Sequence, residues 1–72
     1  MASETFFARF TLRRESGNEW KTSHSVFAKD AEAAIKMLPA IGRADAKKNG
    51  CTLTKTEMWM GWEKKGMPIY SA

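Results

Sequence analysis

Almost everything a catalytic or metal centre is built from is scarce in this chain. There is one histidine, His24, and one cysteine, Cys51. A zinc site needs several nitrogen, sulfur or carboxylate ligands that converge, so a metal or bound cofactor is not expected. A lone cysteine forms no internal disulfide, which points to a reducing compartment and a cytoplasmic protein. No glycine-rich run suited to cradling a phosphate is present. No apolar run approaches the roughly 18 residues of a membrane span. Arg9, Arg13 and Arg14 also break the apolar stretch nearest the N-terminus, so neither a signal peptide nor a membrane partner is expected.

What is present fits one small globular domain over residues 1–72. The hydrophobic fraction is 43% and the charged fraction 28%, a balance that folds rather than staying disordered. The formal charge is +4, and it is spread out: residues 31–50 hold a net of +2, and each flanking segment holds +1. Such a charge keeps a protein soluble or draws it towards a polyanion.

Alternation is clearest from Thr5 to Arg14. Phe6, Ala8, Phe10 and Leu12 fall on one face, and Phe7, Arg9, Thr11 and Arg13 on the other, which is the period of a strand. The turn formers Glu15-Ser16-Gly17-Asn18 follow, and a second strand is expected over Glu19–Ala28, closing a hairpin. Trp20, Thr22, His24, Val26 and Ala28 share its inward face. Lys21, Ser23, Ser25 and Phe27 share the other.

Asp30 stands where a helix N-cap belongs. Ala31, Ala34, Ile35 and Leu38 then recur at helical spacing, with Glu32 and Lys36 four apart on the opposite side. Pro39 predicts an end or a kink, with a second short helix over Ala40–Lys48 that turns Ile41 and Ala44 inward. Asn49-Gly50 predicts the stop. A third strand is expected from near Cys51 to about Trp62. Neither of its faces is cleanly apolar, and Gly61 suggests a bulge or switch of face near its end. Lys64-Lys65-Gly66 reads as a hairpin loop, and Met67–Tyr70 as a short last strand that Pro68 confines to an edge.

The expected fold is therefore α+β, in the order ββαββ. A twisted antiparallel sheet carries one helix, broken or not at Pro39, on one face, over a core of Phe6, Phe10, Leu12, Val26, Ile35 and Leu38.

Ser23-His24-Ser25 invites a nucleophile reading, but adjacent strand residues point to opposite faces, so the serines aim away from His24. A half-buried histidine bonded to a neighbour is the simpler account, and no enzyme activity is expected. Two contact surfaces remain. Phe7, Arg9, Arg13, Lys21 and Phe27 would form a basic, partly aromatic sheet face able to hold phosphates of DNA or RNA and stack on bases. On that reading, reversing Arg9 and Arg13 should abolish nucleic-acid binding and leave stability nearly intact. The competing account is a second small cluster under an ordinary charged face. The C-terminal hairpin offers Trp59, Trp62, Lys64, Lys65 and Tyr70, with Met58, Met60 and Met67 among them, as anchors for a protein partner. Here the competing account is that Trp59 or Trp62 closes the end of the core.

The layout resembles the small proteins of bacteriophages and mobile elements. It is similar to the small α+β anti-CRISPR proteins that target type I Cascade complexes. The shared features are the N-terminal hairpin from Phe6 to Ala28, the helix after Ala28–Ala31, and a C-terminal hairpin with Trp and Lys from Trp59 to Tyr70. The resemblance implies a stoichiometric inhibitor that occludes a nucleic-acid-binding surface. The residues themselves point first to a non-catalytic interaction module for a host protein or nucleoprotein complex, and second to a nucleic-acid-binding domain. They leave the oligomeric state open.

Overall fold

The computed structural model describes residues 3–61 and 66–72. The elements are β1 (Glu4–Arg13), β2 (Glu19–Ala28), α1 (Ala31–Asn49), β3 (Thr52–Met60) and β4 (Tyr70–Ser71). The four strands form one sheet in the order β2-β1-β3-β4, and every pairing is antiparallel. The alternating strand β1 therefore sits in the interior of the sheet, and the helix bridges from one of its neighbours to the other.

The β1–β2 hairpin closes as the turn residues dictate. Gly17 N–H donates to Arg14 O and Arg14 N–H to Asn18 O, both at 2.9 Å. Gly17 takes φ +96°, a left-handed conformation that residues with a Cβ avoid. The register sets Phe6 opposite Val26, Ala8 opposite His24, Phe10 opposite Thr22 and Leu12 opposite Trp20. This inward face packs against Ala34, Leu38 and Ala46 of α1 and Met58 of β3. Phe6, Phe10, Leu12, Val26 and Leu38 are buried as their spacing predicts, while Ile35 is half-buried at the margin.

Asp30 caps α1, accepting from Ala33 N–H at 2.8 Å. The helix is not broken. It runs through Pro39 to Asn49, correcting the two-helix expectation. Pro39 lies on the exposed side, where solvent can serve the Ile35 carbonyl that its missing N–H leaves over. Because the phase is not reset, the buried positions continue as Ala34, Leu38, Gly42 and Ala46, which turns Ala44 outward, not inward as predicted. Gly42 lets the helix settle close to the sheet. A Cβ there would stand 2.8 Å from Leu53 Cδ2 and 2.9 Å from Phe10 Cδ1. Gly50, at φ +65°, ends the helix, with Cys51 N–H donating to Ala46 O at 2.8 Å.

The ambiguous third strand has a structural cause. The register shifts between Thr11 and Leu12, which leaves Thr54 as the extra residue of a bulge, with its Oγ1 donating to Thr11 O at 3.1 Å. Leu53 faces α1 before the bulge, and Thr56 and Met58 face it afterwards. The switch of face lies at Thr54, not near Gly61 as expected; Gly61 ends the strand at φ +95°. The last strand is shorter than predicted. It covers Tyr70–Ser71, with Ala72 exchanging two hydrogen bonds with Thr56 at 2.8 Å, so Met67 and Pro68 precede it, and it forms a sheet edge. No helix among the described residues is long and apolar enough to cross a membrane.

Candidate functional site

The sheet face away from α1 gathers the five residues read as a nucleic-acid surface. Cross-strand pairing brings Phe7 opposite Ser25, Arg9 opposite Ser23, Thr11 opposite Lys21 and Thr5 opposite Phe27. On its other side β1 places Trp59 beside Phe7 and Glu57 beside Arg9. Phe7, Arg9, Arg13, Lys21 and Phe27 do share one face; Arg13, Lys21 and Phe27 are exposed on it, but its centre at Phe7 and Arg9 is covered and holds a carboxylate. Arg9 donates from Nε at 3.1 Å and Nη2 at 2.8 Å to Glu57 Oε1, and Lys55 Nζ stands 3.7 Å from Oε2. The Arg9 guanidinium lies 5.1 Å over the Trp59 ring, and Phe7 meets the same ring edge-on at 5.9 Å. Arg13 makes the same two hydrogen bonds, at 3.1 and 2.8 Å, to Glu19.

Glu57 is only 6% exposed. Burial pushes its carboxyl up, but the Arg9 hydrogen bonds and charge, with Lys55 and Lys21 beyond, more than reverse this. The group lies below its ordinary value. Arg9 is thereby a structural cation: it neutralises a buried carboxylate and covers a buried ring.

Trp59 is 3% exposed, and its Nε1–H donates to Gly66 O at 3.0 Å. The ring belongs to a second small core on this face and ties the chain at Gly66 to the sheet. An exposed anchor, the role the sequence suggested, is not where the fold puts it. Tyr70 is half-buried opposite Met58 and packs against the main core. Trp62, Lys64 and Lys65 lie outside the described residues.

Exposed apolar surface lies elsewhere. Phe27 (55%), Met60 (58%), Met67 (88%) and Ile69 (50%) are the large side chains concerned, with Met37 apart on the helix. Thr5 pairs with Phe27 on one side, and its carbonyl accepts from Gly61 N–H at 2.9 Å on the other. Strands about 4.8 Å apart therefore place Phe27 about 10 Å from Gly61, along one row at the end of the sheet. Met60 precedes Gly61 but pairs with Phe6, so it lies on the α1 face, opposite to Phe27, while Ile69 N–H donates to Met58 O at 2.8 Å on the β4 side of the sheet. Met60 and Met67 were visible in the C-terminal cluster of the sequence. Ile69 was not, because a lone isoleucine beside a proline carries no periodicity.

His24 lies on the inward face and bonds through Nε2 to Asp45 Oδ2 of α1. Thr22 Oγ1 donates to the same oxygen at 2.8 Å, and Phe10 meets the imidazole edge-on at 5.6 Å. Asp45 is the hub, reached by two strand residues. A nucleophilic triad instead puts the imidazole between acid and hydroxyl. Burial pushes the Asp45 carboxyl up, and the hydrogen bonds from His24 and Thr22, with the nearby charges of His24 and Lys48, more than offset it, so it lies below its ordinary value. The cluster clamps β2 to α1. Among the described residues no group of three or more His, Cys, Asp or Glu side chains is placed to hold a metal ion.

No protein-family model, curated protein or solved structure matches this chain.

Proposed function

We propose that this chain is a non-catalytic interaction module that binds a host protein or nucleoprotein complex through its exposed apolar side chains. The observation that carries this reading is the exposure of Met60, Met67 and Ile69 between the end of β3 and β4, each at least half exposed, with Phe27 half exposed on β2. Large apolar side chains left exposed in so small a domain point to a contact surface. Two of the four are methionines, whose unbranched chains repack against irregular partners. The layout similar to small anti-CRISPR proteins supports a nucleoprotein target in the cytoplasm and a role as a stoichiometric inhibitor. The nucleic-acid alternative is the weaker one, because Arg9 is held by the buried Glu57 and Phe7 packs against Trp59.

The test is capture of a partner from host lysate by the wild-type protein and by a Met60→Ser/Ile69→Ser variant, beside titration with labelled DNA and RNA across a salt series. A captured protein that the folded variant fails to hold supports the reading. Submicromolar nucleic-acid binding with a steep log-linear salt slope, unaffected by the variant, refutes it.

A further inference from the structure

The two edges of the sheet are built differently. One edge is β4, two residues long and preceded by Pro68. Short strands and prolines are standard ways of keeping a sheet edge from pairing. The other edge is β2, ten residues long, with no proline, glycine or bulge in it. Its lone lysine, Lys21, points out from the face away from α1.

The hydrogen-bonding phase of this edge follows from the hairpin. Arg14 and Asn18 are a bonded pair. In an antiparallel ladder bonded pairs recur at every second residue, so Trp20, Thr22, His24, Val26 and Ala28 direct their N–H and C=O groups at β1. Lys21, Ser23 and Ser25 direct theirs outward, and no strand among the described residues takes them. A second strand laid antiparallel on this edge must place outward-directed residues opposite outward-directed residues.

We infer that β2 pairs with β2 of a second copy of this chain, antiparallel and centred on His24, joining two four-stranded sheets into one of eight. In that register Ser23 of one copy lies opposite Ser25 of the other, and Lys21 opposite Phe27. Thr22 lies opposite Val26, and Trp20 opposite Ala28. The phase condition holds at every position of residues 20–28. No like charges oppose one another outside the His24 axis. The facing serines are small enough for close backbone approach and can bond across the strands, and each Lys21 ammonium meets an aromatic ring. The neighbouring register, centred on Ser23, also satisfies the phase but sets Glu19 against Phe27 and loses the lysine–ring pair. This dimer goes beyond the contact proposed above; it uses Phe27 and leaves Met60, Met67 and Ile69 available.

The experiment is sedimentation equilibrium of the wild-type protein from micromolar to millimolar concentration, with Ser23→Pro and Ser25→Pro beside it. The expected result is a rise from the 8.1 kDa protomer to twice that mass. Both proline variants should stay at protomer mass with an unchanged far-UV spectrum, because their N–H groups are not among those β1 takes. A wild-type protein that stays monomeric throughout overturns the inference, as does a dimer that survives both prolines. A second arm fixes the register and does not depend on the prolines folding. In a Cys51→Ala background, Ser23→Cys chains mixed with Ser25→Cys chains should form a disulfide-linked dimer under air, and neither alone should. Self-linkage of Ser23→Cys overturns the His24-centred register. The Met60→Ser/Ile69→Ser variant should dimerise normally, so failure here and failure of the proposed contact are separable.

Discussion

Two arginine–glutamate pairs on β1 have nearly the same geometry and should differ several-fold in what they contribute. Arg9 and Arg13 each approach one carboxylate oxygen at 3.1 Å from Nε and 2.8 Å from Nη2. The Arg9–Glu57 side chains are 18% and 8% exposed, and the Arg13–Glu19 side chains 57% and 44%. Exposed pairs measure about 0.2–1 kcal/mol, because water screens them and two long side chains must be held still. Removing one partner of a buried pair costs about 3–5 kcal/mol, since the remaining charge is left without compensation. Arg9 is not fully buried and Lys55 lies within 3.7 Å of Glu57, so the expected cost of Arg9→Ala falls to about 2–4 kcal/mol. The loss of guanidinium cover over Trp59 is included in that range. Arg13→Ala should cost below about 1 kcal/mol. In a domain of this size the first variant should lower the thermal midpoint by about 10–20 °C and the second by no more than about 5 °C. Urea unfolding followed by tryptophan fluorescence reads both. Arg9→Ala/Glu57→Met, which removes the buried charge along with its partner, should recover much of the loss. Equal effects of the two single variants would refute the reasoning. This replaces the sequence-based expectation that charge reversal at Arg9 leaves stability intact: Arg9→Glu sets a second carboxylate against Glu57.

Acid should unfold the protein through the same carboxylates. Glu57 and Asp45 both lie below their ordinary values of 4.5 and 3.8, so their contribution is complete above those values and is lost as pH falls through the lower folded ones. Urea midpoints should decline from about pH 5 downward, and Glu57→Gln should flatten the decline. Gly42→Ala gains about 1 kcal/mol of helix propensity. It also drives a Cβ to within 2.8–3.0 Å of Leu53 and the fully buried Phe10. Overpacking of about 1–3 kcal/mol should win, giving a net loss in denaturant unfolding, and a more stable variant would show that α1 lifts freely from the sheet. Pro39→Ala restores an N–H to the Ile35 carbonyl on an exposed stretch of helix, so it should raise stability by about 1–3 kcal/mol, measured in the same way.

The parts of the fold that were legible in the sequence are those with one wholly apolar face. β1 alternates with Phe6, Phe10 and Leu12 towards α1, and the helix signals from Asp30 to Gly50 are local chemistry, so both could be read from neighbours in the chain. β3 resisted because both of its faces are covered after the bulge. Met58 packs against the main core and Trp59 against the second one, and Thr54 shifts the phase between Leu53 and Thr56. A strand covered on both sides loses the alternation that would identify it. The same fact explains the misplaced sites. Arg9 and Trp59 carry the chemistry of recognition, a forked cation and a large amphipathic ring, and in this fold they recognise each other and Glu57. Which of two uses applies depends on a contact 48 residues away along the chain, between Arg9 and Glu57, that no local pattern encodes. Once both broad faces are accounted for, contact with another molecule is left to the boundaries of the sheet. Met60, Met67 and Ile69 are exposed between the end of β3 and β4, Phe27 is exposed on β2, and the β2 edge bears the outward-directed groups of Lys21, Ser23 and Ser25. Several of these residues drew notice in the sequence, but not for being at an edge or an end, which is a property of the topology and not of the residues that occupy it.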